Sequence, residues 1–260
     1  MMKKIGLETS SIMPLLETTP RTLPLQRHIK ETIDRYDVVE FYTDLYSIKE
    51  ATQQINTSFN NAIRSVEKAK IVAERLNIND VQTLSIIFVK SLAENWYGRE
   101  ETLRWSDVVI NDKFQGIHDS EEFFKTLNQQ MENKKQKYLS MLKIKNQCLD
   151  INCEYMQSYW ITPLFTKDLR LKIKVIPNSL SLEDFFKKLQ STLNATYMRT
   201  LKINDVVDIY HLYSLYNDGN IKEVWSCNQQ FVKRHEKYLK TVEEFKDLFD
   251  DNIVIIKRIK

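Results

Sequence analysis

Between Pro24 and Gly98 the chain has neither proline nor glycine, and apolar side chains recur there in steps of three and four. The series runs Val38, Phe41, Leu45, Ile48, Thr52, Ile55, Phe59, Ala62, Val66, Ala69, Ala73 and Leu76, with Thr52 its one polar member. That is a heptad seam, the pattern of helices packing lengthwise. At about 1.5 Å per residue it predicts a rod of roughly 60 Å. A second seam runs Ile221, Val224, Asn228, Phe231, His235, Tyr238, Val242, Phe245 and Phe249. Its polar members, Asn228 and His235, are the kind that fix register in such a seam. Ile48, Ile55, Phe59, Val66, Phe231, His235, Tyr238, Val242 and Phe245 are thus the expected dimer or packing contacts.

Shorter helices are predicted between the seams. Asn79 with Gln82, Asp119 with Glu122, and Ser181 with Asp184 have the spacing of capping pairs. They would open helices through Leu84, Phe88 and Leu92; through Phe123, Leu127 and Met131; and through Phe185, Leu189 and Leu193. Asn204 or Asp205 would start another carrying Tyr210, Tyr213 and Tyr216, and Asp218-Gly219 reads as a helix stop. Only two segments look like strands. LRLKIKVI alternates Leu169, Leu171, Ile173 and Val175 with Arg170, Lys172 and Lys174, and NIVIIKRIK ends the sequence. A lone strand is unstable, so these two are expected to pair. Residues 1–24, with Pro14, Pro20 and Pro24, read as an extended leader. Residues 25–260 read as one mainly α domain of long antiparallel helices, an elongated bundle or coiled coil. It has an irregular insertion around 160–180 and room for one small β element.

Composition narrows the choice further. Four glycines in 260 residues argue against a large β-sandwich with tight turns, and against loops that cradle phosphate in nucleotide-binding α/β folds. Three cysteines give no disulfide framework and suit a reducing compartment. The N-terminal stretch lacks the apolar run of a secretory signal, and the most apolar segment, Leu84 to Val89, is far below a membrane span. A soluble cytoplasmic protein is expected.

Candidate chemistry is sparse. The phosphate-loop, dinucleotide, zinc-protease and nucleophile-elbow motifs are all missing, so no enzymatic role is expected. Cys148, Cys153 and Cys227 form no close pair, so neither a metal nor a cofactor is expected. His211 with Asp208 reads as an i, i+3 hydrogen bond on a helix surface. The tyrosines at 197, 210, 213 and 216 read as core aromatics, or alternatively as a stacking platform for bases. The charge distribution says more. From Lys134 to Lys174 nine Lys or Arg face three acids, a local +6 in a chain of net +3. Lys134, Lys135, Lys137, Lys143, Lys145, Arg170, Lys172 and Lys174 are therefore the candidate residues for an acidic lipid surface, or for phosphates of nucleic acid.

Two stretches resemble a known family. SLAENWYGREETLRWSDVV followed by FFKTLNQQMENKKQKYLSML is similar to the second-helix region of the BAR domains of sorting nexins, and FVKRHEKYLKTVEEFKDLF is similar to their last helix. The resemblance implies a crescent-shaped dimer, homo- or heteromeric, peripheral on intracellular membranes. It places Lys134, Lys135, Lys137, Lys143 and Lys145 near the lipid. The family's upstream phosphoinositide-binding domain has no match here, nor has the strand-like segment at 169–176 a counterpart in a three-helix bundle. The expected function is thus a non-enzymatic dimer that binds acidic membranes and senses or shapes curvature in trafficking. The alternatives are a helical nucleic-acid-binding protein and a scaffold subunit of a coiled-coil complex.

Overall fold

The computed structural model describes residues 2–16, 23–95, 114, 117–156, 166–233, 235, 243–249 and 255–258. These residues form two units. One comprises Met1–Ala51 with Met141–Lys260 and is built on a β-sheet; the other, Thr52–Ser140, is helical and interrupts it in sequence.

The sheet unit begins with β1 (Met2–Leu7), α1 (Thr9–Ile12), α2 (Leu23–Arg35) and β2 (Val38–Asp44), which leads into α3 (Leu45–Leu76). After the helical unit come β3 (Cys148–Met156) and β4 (Thr166–Ile176), then α6 (Leu182–Thr192), α7 (Ala195–Met198) and α8 (Ile203–Tyr213). β5 (Glu223–Ser226), α9 (Glu243–Leu248) and β6 (Ile255–Arg258) complete it. The helical unit holds the rest of α3, α4 (Val81–Asn95) and nearly all of α5 (Ser120–Met141).

The strands form one six-stranded sheet in the order β3-β4-β2-β1-β5-β6. All neighbours run parallel except β3 and β4, which are antiparallel. The chain winds outward from β1 through β2 to β4, then returns to the other side of β1 for β5 and β6. The direction of winding therefore reverses between β1 and β5. Ile5 pairs with Phe41 and Leu7 with Trp225 on one face, where the His28 ring of α2 lies 4.5 Å from that of Trp225. On the other face Tyr42, Ile176 and Val224 join a core with Phe185 of α6, Ile209 and Tyr210 of α8, and Leu215 of the turn that follows α8. Gly6 lies in that face, and a Cβ there would stand 3.0 Å from Leu215 and 3.2 Å from Ile221.

This architecture corrects the expected fold. The elongated all-helical bundle of the BAR type is replaced by a mixed α/β sheet. The expected leader holds β1, the central strand, together with α1. The two strand-like segments are indeed strands, but they do not pair: β4 lies between β3 and β2, and β6 lies beside β5. The second seam is not one helix. Val224 is in β5, helix resumes only after Asn228, and Phe245 is in α9. The first seam survives in part. Val38 and Phe41 belong to β2, but Ile48, Ile55, Phe59, Ala62, Val66, Ala69 and Ala73 form the buried stripe of α3, whose 32 residues span about 48 Å. Leu76, at its end, is exposed.

The small number of glycines has a physical reason. Parallel strands connect through helices rather than tight turns. Among the described non-glycine residues, the left-handed positions fall on Asn77, Asn146, Gln147 and Asn220. Asn77 ends α3, with the Ile78 amide reaching back to the Ala73 carbonyl at 3.0 Å. The Asp119 and Ser181 caps form as predicted, accepting from the amides of Glu122 at 2.7 Å and Asp184 at 3.1 Å. The cap of α4 is Asp80 rather than Asn79.

Candidate functional site

Parallel strands direct their carboxyl ends to one edge of a sheet, and ligands of such sheets bind in the crevice there, at the point where the winding reverses. Here β1 delivers Glu8 and Thr9 to that edge, β2 delivers Asp44, β5 delivers Ser226 and Cys227, and β4 delivers Asn178.

Asp44 closes β2 and caps α3. Its Oδ1 accepts from the amides of Tyr46 at 3.0 Å and Ser47 at 3.1 Å, and its Oδ2 accepts from Ser47 Oγ at 2.5 Å. About one and a half turns into α3, Glu50 points to the same place. Between them lies His211 of α8, with Nδ1 3.0 Å from Asp44 Oδ2 and Nε2 3.3 Å from Glu50 Oε2. Thr9 donates a further hydrogen bond to Glu50. Asp44 and His211 are fully enclosed, whereas the Glu50 side chain is 34% exposed and opens the cluster to solvent.

Burial alone would lower the His211 pKa, but the adjoining Asp44 and Glu50 carboxylates outweigh it and raise it well above its ordinary value. Burial likewise pushes Asp44 up, and the imidazolium with the Ser47 hydrogen bonds holds it below the usual range. Glu50 is lowered chiefly by its hydrogen bond from His211. Glu8 goes the other way. It is buried, and desolvation raises its pKa despite hydrogen bonds from Ser10. Three carboxyl groups, Asp44, Glu50 and Glu8, thus surround one imidazole, and the cluster is acidic in composition.

A shell of hydroxyls lies over β1 and β5. Ser10 Oγ is 3.4 Å from Ser226 Oγ and accepts from the Cys227 amide at 3.0 Å. Ser11 donates to the Trp225 carbonyl at 2.9 Å. Burial pushes the Cys227 thiol up to about 11, so it is no nucleophile at neutral pH. Among the described residues no group of three or more His, Cys, Asp or Glu is arranged to hold a metal ion.

His211 does not pair with Asp208 as the spacing suggested. Asp208 lies instead 3.6 Å from Nε2 of the buried His235. Tyr210, Tyr213 and Tyr216 are core residues. The predicted basic residues are distributed over both units. Lys134, Lys135 and Lys137 are on α5 in the helical unit. Lys143 and Lys145 are exposed in the turn before β3, and Arg170, Lys172 and Lys174 share the open face of β4. Lys174 is bound to Glu40 at 2.5 Å. Of the predicted seam, Ile48, Ile55, Phe59, Val66, Phe231, His235 and Phe245 are buried, while Tyr238 and Val242 lie outside the described residues. Glu8, Asp44, Glu50 and Asn178 were not among the candidates. The signal for the first two was an apolar run ending in an acid followed by hydroxyls, IGLETSS and FYTDLYS, which becomes legible only once those runs are strands.

Fold and site together define a doubly wound mixed α/β domain with an acidic, imidazole-centred cluster at the carboxyl edge of its sheet. No protein-family model, curated protein or solved structure matches the chain. No helix among the described residues is long and apolar enough to cross a membrane.

Proposed function

We propose that the sheet unit is a hydrolytic enzyme domain in which Glu50 and Glu8 divide the roles of base and acid. The observation that carries this reading is the opposed environments of two neighbouring carboxylates. Carboxylates whose surroundings push their pKa values apart are the usual acid and base of such a site. Glu50, ionised and open to solvent, takes a proton from the attacking water. Glu8, enclosed and with its pKa raised by burial, gives its proton to the leaving group as the bond to it breaks. His211 and Asp44 touch no substrate in this scheme; they orient Glu50 and balance its charge. The acidic composition of the site suits uncharged or cation-bearing polar substrates.

The test is a panel of chromogenic glycoside, ester, amide and phosphodiester substrates, assayed across pH with wild type, Glu50→Gln and Glu8→Gln. The expected result is activity on one class, reduced about 10²–10⁴-fold in either variant. Full activity in Glu50→Gln, or an inactive wild type across the panel, sinks the reading.

The membrane-curvature role expected from the sequence drew on a rod-shaped helical dimer and a localised basic patch; the six-stranded sheet replaces the rod, while Lys143, Lys145, Arg170 and Lys172 are exposed.

A further inference from the structure

We propose that Asn178 is a positioning residue of this site, a tether that fastens the end of α8 to the start of α3 and so holds His211 against Glu50. The proposal rests on the reading of Glu50 as the working carboxylate. Asn178 stands two residues past β4, and its one amide group reaches three elements. Its Oδ1 accepts from the Tyr46 amide in the first turn of α3 at 3.0 Å. Its Nδ2 donates to Ser214 Oγ at 2.7 Å and to Asp44 Oδ1 at 3.3 Å.

Ser214 opens the widened π-turn, Ser214–Asp218, that ends α8. Such turns are rare and are frequent at functional sites. On this one the Asn217 side chain is also bonded, to the Leu248 carbonyl at 3.1 Å. Ser214 is three residues beyond His211, on the same face of the helix. Fixing Ser214 therefore fixes the rotation of α8 that aims the imidazole. An asparagine suits the position because the tether needs one acceptor and two donors on a single flat group. An aspartate would set two carboxylates side by side.

His211 reports directly on the tether. The groups that face it are Asp44 from the end of β2, the Ser47 hydroxyl at 3.0 Å, Glu50 and the Tyr46 ring from α3, and Glu8 from the turn after β1. On its own helix Tyr210 is beside it, and Asp208 is turned toward His235.

The experiment is ¹⁵N NMR of the histidine side chains in the full chain, with His211 assigned from the spectrum of His211→Gln. It compares wild type, Asn178→Ala and Ser214→Ala over pH 5–9. In wild type both ring nitrogens should stay protonated across that range. In Asn178→Ala the His211 titration should move down toward its ordinary value by more than about 1 pH unit. Ser214→Ala should move it the same way by less. A folded Asn178→Ala whose His211 signals overlay those of wild type overturns the proposal. Should that variant fail to fold, an unmoved His211 in Ser214→Ala overturns it equally. The readout needs no turnover. Shifted His211 signals without activity in any protein would retire the hydrolytic reading and keep the tether; unshifted signals with activity would do the reverse.

Discussion

His211 keeps its proton inside the protein because two carboxylates replace the water it has lost, and the energetics of that exchange are measurable. Its folded-state pKa lies above the ordinary 6.5, so its contribution to stability is complete below pH 6.5 and is lost as pH rises through the folded value. Asp44 and Glu50 are held below their ordinary 3.8 and 4.5, so their contributions are present above those values and are lost as pH falls through the folded ones. Urea unfolding should thus show a stability that declines from pH 6.5 upward, and His211→Gln should abolish that decline. Because removing one partner of a buried pair strands the other, His211→Ala should cost about 3–5 kcal/mol at pH 6. Gly219 offers a test of packing alone. Its φ is −113°, which any residue can adopt, but a Cβ would meet the Leu215 carbonyl oxygen at 2.9 Å. Backbone cannot yield as a side-chain tip can, so Gly219→Ala should lower stability by about 1–3 kcal/mol in the same unfolding assay.

At the scale of the element, caps and stripes behave as local chemistry dictates. Ser181 accepts from the Asp184 amide at the start of α6, and Ser181→Ala should cost about 1 kcal/mol in chemical unfolding. These features were legible in the sequence because they depend on a few adjacent residues. So was β4, with Leu171, Ile173 and Val175 buried and Arg170, Lys172 and Lys174 exposed, since one of its faces is open. The central strands were not. β1 and β2 are covered on both faces toward their carboxyl ends, so Ile5, Gly6 and Leu7, or Phe41, Tyr42 and Thr43, show no alternation to read. Val38 and Phe41 also fell by chance on the heptad spacing of α3, which lengthened the apparent rod. The site was illegible for the same reason: Glu8 and Asp44 acquire meaning only as the last residues of parallel strands, and His211 reaches them across 167 positions of sequence.

For the molecule as a whole, the sheet sets where the slowest motions lie. Strand β1 is hydrogen-bonded on both sides, to β2 and to β5, and its Ile5 and Leu7 are fully buried. Hydrogen exchange should therefore find the slowest amides of the sheet unit in β1 and the buried half of β2, with the termini of α7 and α9 exchanging first. Equal protection throughout would contradict the central placement of β1.

The order in which the strands are made differs from the order in which they lie. On the ribosome β1 and β2 emerge early, but the partner for the far side of β1 is Val224-Trp225. At 5–20 residues per second, the interval between Leu7 and Trp225 is about 10–40 s. Through that time a strand of Ile5 and Leu7 has a vacant edge, an invitation to foreign strands. The 52–140 segment, contiguous in sequence, emerges whole within that interval. A nascent chain stalled before residue 223 would carry a sheet lacking half its central pairing, and chaperones of the newly made chain would find their target in that species.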